Sequence, residues 1–335
     1  MEYNLMSQML NQLAKYDALN LIGGNASFQH YEILENLMTT TGKMVLAKSK
    51  PFKQGKDCLD PTVDYYSFYE SLCFILDNQY TFGFLNRLNT SQCISPLVKS
   101  LISNIMEVKQ HDRLMPPTAL KSLAPQLPAV VDNYYTGIWN SIRGLANSSE
   151  FKLEQKKRKA LITKQCQENT RIVGRQLRLH DSLDVHCIAF RIFHNTNIHI
   201  NDLTLHDSSA TQILRQFINH IRQINLDRIL CIQSRIQRTM TGQCYVNIFI
   251  YAKPDTQIDF NIDLNQFHHN HADGTTQLHT YANELFHTQF KLFGSNSFAF
   301  NFEQWKVFFK CALYPLNHYY YESNQIRPIF STVFF

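Results

Sequence analysis

The chain changes texture about halfway along. Residues 1 to about 150 carry apolar side chains at three- and four-residue spacing, as in MEYNLMSQMLNQLAKYDAL and SPLVKSLISNIMEV, and this spacing predicts helices. SFYESLCFILDN adds a helix-compatible run behind a Ser67 cap, with Glu70 three residues on. KPFKQGKD, DPTVD and MPPTALKSLAPQLP read as loops between these helices, and the proline-punctuated last one reads as a connector.

Residues 150–178, EFKLEQKKRKALITKQCQENTRIVGRQLR, form a polar, basic stretch with helical propensity. Beyond residue 180 the pattern becomes strand-like. DVHCIAFRIF (184–193), RILCIQSRIQ (228–237) and CYVNIFIYA (244–252) predict strands, the last two joined by the hairpin connection TMTG. SSATQILRQFINHIRQINL (208–226) predicts an amphipathic helix capped by Ser208 or Ser209, with Ile213, Phe217, Ile221 and Ile224 on one face. TTQLHTYANELFHTQFKLFG (275–294) reads as a second helix ended by Gly294, FAFNF as a short strand, and FEQWKVFFKCALY as a third helix halted at Pro315.

Strand, helix, strand, strand, helix, strand is the split βαβ pattern, with helices on one face of a sheet. The expected fold is therefore α+β: a mostly helical N-terminal region (1–150), a basic helical connector (151–178) and a ferredoxin-like (βαββαβ) domain (179–335). Many functions share that fold, so the pattern alone names none.

Composition narrows the class. The 335 residues are 44% hydrophobic and 18% charged, with 24 Phe and 16 Tyr, which is enough apolar material for a full core. No stretch nears the roughly 18 uninterrupted apolar residues of a membrane helix, and the first residues lack the basic start and apolar core of a signal peptide, so the expectation is a cytoplasmic protein with no membrane partner. Eight cysteines lie scattered without a CxxC, as expected of reduced thiols packed as small hydrophobes.

The net charge of +5 permits a polyanionic partner, and its distribution says more than the total. Nine Lys or Arg fall between residues 152 and 178, against Glu154 and Glu168. Lys156, Lys157, Arg158 and Lys159 make a run, followed by Lys164, Arg171, Arg175 and Arg178. Arg171, Arg175 and Arg178 stand at i, i+4 and i+7, on one helix face. Such a face follows a phosphate backbone, or else is simply a solvated surface.

Two further groups carry chemistry. FHHNHADG packs His268, His269, His271 and Asp273 into six residues; it reads as a polar loop, with a metal site as the alternative. Tyr314 ends FFKCALYPLN, where it serves either as a packed tyrosine or as a nucleophile on a phosphodiester. The sequence contains no GxSxG, HExxH, GxxxxGK[ST] or GxGxxG.

Residues 184–332 resemble the YagK/YfjJ-type C-terminal domain, a family that includes the replication-initiator-like proteins of inoviruses. The resemblance rests on DVHCIAFRIF, the amphipathic helix, RILCIQSRIQRTMTGQCYVNIFIYAK, and CALYPLNHYY with IRPIFST near the end. It implies nicking of one DNA strand through a tyrosine–DNA intermediate, with a divalent metal held by a His-hydrophobic-His element. Here Gly242 fits the turn glycine, but the two histidines fall on Cys244 and Val246, and the preceding strand has no carboxylate between Gln233 and Arg235. Tyr314 fits the tyrosine, yet the lysine three residues on is Asn317, and Pro315 interrupts the element. Arg327, Phe330 and Ser331 echo the closing segment.

The reading that follows is a DNA-binding, replication-initiator-like protein of bacterial prophage or mobile-element origin with degenerate catalysis and no resident cofactor. The alternatives are a protein-interaction or regulatory module on the same fold, and a divergent tyrosine nickase using Tyr314 with a divalent metal held by His268, His269 or His271.

Overall fold

A computed structural model describes residues 33–34, 37–38, 41–42, 44–45, 52–54, 59–61, 81–90, 93–110, 128–194, 203–239, 243–256, 258–259, 262–273, 276–294, 300–313, 320–327 and 329–335. The chain forms two compact units, Asn25–Arg158 and a second whose described part lies within Lys159–Phe335.

The first unit pairs two short strands, β1 (Phe52–Gln54) and β2 (Leu59–Pro61), antiparallel, where KPFKQGKD and DPTVD read as loops. At three residues each, these strands are too short to show an alternating pattern in sequence. Its described helices include α1 (Thr81–Thr90), α2 (Pro96–Gln110) and α3 (Pro128–Asn147). Ser95 caps α2 by accepting from Leu97 N–H at 3.2 Å, with Pro96 in the first helical position, where its missing N–H costs nothing. α2 packs against both α1 and α3, burying Leu88, Val98, Leu101, Ile105 and Ile142. The Ser67 run and the 115–127 connector lie outside the described residues, as does the N-terminal amphipathic stretch.

The second unit is built on a six-stranded sheet. Its elements are α4 (Ser149–His180, of which Lys159 onward belongs to this unit), β3 (Ser182–His194), α5 (Leu203–Ile224), β4 (Ile229–Arg238), β5 (Cys244–Ala252), β6 (His268–Asp273), β7 (Thr276–Phe293), α6 (Phe302–Leu313) and β8 (Ser331–Phe334). The strand order is β6-β7-β3-β5-β4-β8, every neighbouring pair antiparallel. β3 and β4 therefore run parallel, joined by α5, with β5 inserted between them.

Side-chain alternation sends the two sides of the sheet to different helices. Phe190 of β3 meets Phe217 of α5 at 4.9 Å between ring centroids. Ile213, Phe217 and Ile221 are fully buried there, whereas Ile224, expected on that face, is exposed. On the other side Phe249 of β5 meets Trp305 of α6 at 5.5 Å, and Tyr251 bonds to Asn169 of α4 at 2.9 Å. Helices thus cover both faces, which corrects the one-face expectation: β3 and β5 are apolar on both sides, and each side needs a cover. α5 also starts earlier than expected, so Ser209 lies inside the helix instead of capping it, and its buried Oγ finds no hydrogen-bond partner among the described residues.

Two elements differ in kind from the sequence reading. Residues 276–293 are one long strand, and the histidine-rich FHHNHADG run contributes the edge strand β6. The reason is visible in β7. Between the pairs Ala189↔Phe286 and Arg191↔Asn283, the single β3 residue Phe190 stands opposite Glu284 and Leu285, and Glu284 adopts φ 59°. This bulge inverts the alternation. Leu278, Thr280 and Ala282 are buried on the α5 side, whereas Phe290 and Leu292 are buried on the α6 side, paired with Val185 and Leu183. Apolar residues on both faces in shifted phase mimic helical spacing. FAFNF likewise gives way to a helix start: Asn301 makes only an isolated bridge to Phe293, and its Oδ1 accepts from Glu303 and Gln304 N–H at 3.1 Å each, capping α6.

Candidate nucleic-acid interface

α4 is a 32-residue helix with well-defined ends. Ser148 Oγ accepts from Phe151 N–H at 3.2 Å, and Glu150 sits in the first turn, where the helix dipole favours an acid. Arg178 and His180 occupy the last turn. Asp181 then turns left-handed (φ 57°) and donates its N–H to Leu177 O at 2.9 Å, closing the helix.

One side of α4 is fixed on the sheet. Gln165, Asn169, Ile172, Val173 and Leu177 are buried. Asn169 donates to Gln233 Oε1 at 2.7 Å and to Tyr251 Oη at 2.9 Å, and accepts from the Trp305 indole at 2.9 Å. Tyr251 in turn donates to Gln233 Oε1 at 2.7 Å, so this buried polar thread leaves no amide atom of Asn169 idle. Gly174 lets α6 come close: a Cβ there would stand 3.1 Å from the Phe302 ring.

The opposite side carries the charge. Lys164, Arg171, Arg175 and Arg178 are exposed, and their spacings of seven, four and three residues align them in one stripe. At 1.5 Å per residue the stripe is about 21 Å long. None of the four is in an ion pair with any described residue. Lys156, Lys157 and Lys159 are exposed on earlier turns, whereas Arg158 is half-buried and pairs with Glu154 at 2.9 Å.

The location implied for a metal by the family resemblance is filled differently. Cys244 and Val246 point to the α5 side of β5 and are fully buried. Val246 pairs in register with Phe190 and Ile236, and Cys244 pairs with Arg238. Arg238 forms a buried ion pair with Asp207 of α5, while Tyr321 donates to the other carboxylate oxygen at 2.7 Å and lies under the guanidinium at 5.1 Å. Burial works against the charge on Arg238, but Cys244, Asp207 and Tyr321 outweigh it and raise its pKa. Burial and the Asp207 bond push the Tyr321 phenol up to about 12. Beside them His194 holds Thr280 at 3.1 Å and packs against His206 at 3.8 Å; burial, then His206 and Arg238, lower its pKa to about 3. A permanent guanidinium already neutralises the carboxylate at this point, and Val246 offers no ligand atom, so these residues do not fit a divalent cation.

The histidines of β6 are divided by the strand's alternation. His268 is exposed and pairs in register with Tyr281, and His269 is half-buried. His271 pairs with Leu278, its side chain lying outside the described residues. Among the described residues no three His, Cys, Asp or Glu side chains form a group able to hold a metal. Tyr314, Pro315, Asn317 and Gly242 lie outside the described residues. Arg327 is exposed, and Phe330 is buried beneath Arg235, whose guanidinium sits 4.5 Å over the ring. Sequence reading missed Asp207, Arg238, Tyr321, Asn169 and Trp305, because each pairs with a residue at least 31 positions away and no local motif marks it. Compared with known proteins, the chain matches no family model, no curated protein and no solved structure.

Proposed function

We propose that this chain is a DNA-binding, replication-initiator-like protein of bacterial prophage or mobile-element origin that holds DNA without cutting it. The observation that carries the reading is the stripe Lys164, Arg171, Arg175 and Arg178: four exposed cations on a helix whose other side is bonded into the sheet. A rigid row of cations displaces counterions from phosphates without meeting a disordering cost at each side chain.

Two features support the replication-initiator-like part. The strands β7-β3-β5-β4, with α5 crossing from β3 to β4, follow the order and directions of a ferredoxin-like sheet whose second crossover holds no α-helix among the described residues. The buried Arg238–Asp207 pair beside Cys244 fills the place that the resemblance gives to a metal, which supports binding of DNA without the metal-assisted cleavage the resemblance implies. Among the described residues no helix is long and apolar enough to cross a membrane.

Fluorescence anisotropy on labelled DNA across a salt series tests this. The expected result is affinity falling with a log–log slope of about −3 to −4, the value for four neutralised phosphates, and a shallower slope when Arg171, Arg175 and Arg178 become Glu. Affinity that stays flat with salt, or no binding at all, overturns the proposal. A covalent protein–DNA adduct formed with Mg²⁺ or Mn²⁺ and abolished by Tyr314→Phe would establish nicking instead.

A further inference from the structure

The distal end of the sheet carries a row of rings. Phe193 of β3 and its register partner Tyr281 of β7 stack at 5.9 Å with planes 20° apart. Tyr281 continues to His279 at 5.6 Å and 24°, and His279 to His268 of β6 at 5.9 Å and 44°. Asn270 of β6, the register partner of His279, holds that imidazole through its side-chain oxygen. Phe193, Tyr281 and His279 are half-buried, and His268 is exposed.

The other side of these same strands is closed, with Ile192, Leu278, Thr280 and Ala282 buried on the α5 side. Core packing therefore does not account for the rings: the apolar side chains this part of the sheet needs are on the opposite face. Partly open strand positions outside a core ordinarily carry polar side chains, so four rings in a row, three half-buried and one exposed, are a surface with a use.

Their side of the sheet matters. Along β3 the odd-numbered positions face α4 and α6, as Val185 shows through its partner Phe290, which meets Trp305 at 5.9 Å. Phe193 is odd-numbered, so the row and the basic helix lie on one side of the sheet. Arg191, two residues before Phe193 on that side, pairs with Glu284 at 2.9 Å, and Asn270 and Asn283 are exposed nearby.

We infer that Phe193, Tyr281, His279 and His268 form a stacking platform for the bases of single-stranded nucleic acid. This rests on the DNA-binding reading of α4 and adds to it which form of nucleic acid is held and where the bases go. Every base has a flat π face, and unpaired bases stack on aromatic side chains without needing a sequence. Duplex DNA keeps its faces within the helix and offers none to the row. Cations on the same side of the sheet make a strand with an exposed phosphate backbone the matching occupant, whereas an acidic or neutral peptide would gain from the cations or from the rings but not from both in alternation.

The test compares labelled oligothymidylate with a mixed-sequence duplex of equal length, using the full chain. Phe193→Leu with Tyr281→Leu keeps the apolar bulk but removes the π faces. The expected result is a loss of roughly tenfold to a hundredfold in single-strand affinity, with duplex affinity and the salt slope unchanged. Tyr281→Phe, which keeps the ring, retains the wild-type affinity. 2-Aminopurine within the strand changes its fluorescence on binding to the wild type and not to the double variant. Single-strand affinity indifferent to the double substitution, while charge reversal on α4 still abolishes binding, overturns the platform alone and leaves the row to a protein partner. An equal loss for duplex and single strand also overturns it, since that is the mark of a damaged fold. A wild-type chain that binds neither form removes the DNA-binding reading itself.

Discussion

Trp305 donates its indole N–H to the side-chain oxygen of Asn169 at 2.9 Å, joining α6 to α4 across 136 positions of sequence. Asn169 simultaneously serves Gln233 and Tyr251, so a single amide ties both helices to the sheet. Asn169→Leu strands the Trp305 donor out of water and takes one of two donors from Gln233 Oε1, which keeps Tyr251, and is expected to destabilise the unit by about 1–3 kcal/mol. Urea unfolding measures this directly. Because the basic stripe is carried by the same helix, DNA affinity should fall further than the unfolded fraction explains.

Arg238 and Asp207 give a second expectation. Arg238→Met leaves a buried carboxylate held, among the described side chains, by Tyr321 alone, at a cost of about 3–5 kcal/mol. Adding Asp207→Leu removes that orphaned charge and restores most of the loss. Four denaturation curves (wild type, two single variants and the double) decide the matter, and a purely additive double variant would mean that the two side chains do not depend on each other.

Acid should destabilise the fold through its histidines. His186 Nδ1 lies 3.2 Å from His287 Nε2, and burial, then His287, lower the His186 pKa to about 4; burial also lowers that of His287. The unfolded chain takes up protons near pH 6.5, above the folded values, so between them acid favours unfolding. Stability is full above about pH 6.5 and falls by about 1.4 kcal/mol per unit for His186 as the pH drops towards about 4. His194, with its pKa near 3, works in the same direction. Urea midpoints at neutral and mildly acidic pH check the slope, and His186→Gln should flatten it.

Asp181 closes α4 with φ 57°. Asp181→Gly is expected to be neutral or to stabilise by up to about 1 kcal/mol, since glycine adopts this backbone freely. Asp181→Val forces a β-branched residue into it, at about 1–2 kcal/mol or more. Thermal melts of the pair separate backbone conformation from side-chain contacts.

Physical range decides how much of this was readable from sequence. β3, β4 and β5 stand within two residues of their expected bounds because β-branched and apolar runs between turn residues are local signals. α4 and its cations were legible for the same reason: a run of Lys and Arg at helical spacing needs no partner to be seen. β6 was read as a loop because an edge strand bonded only to β7 tolerates histidine and asparagine. The Arg238–Asp207–Tyr321 cluster was invisible, since three chain segments meet there only after folding. The ring row is hidden in a different way: the sequence places Phe193 in a strand, His268 in a loop, and His279 and Tyr281 in a helix.

The extra residue at Glu284 and Leu285 splits β7 into two stretches written in different reading frames. Upstream of it, even-numbered positions belong to the layer beneath α5; downstream, even-numbered positions belong to the layer beneath α6. Deleting either residue would remove only one side chain from a solvated bend, yet it acts as a frameshift in space. Phe290 and Leu292 would exchange places with their polar neighbours, or else the ring row would turn inward and Leu278 and Ala282 outward. The interface and the core are thus written along a single strand, and the count of residues between them cannot change by one.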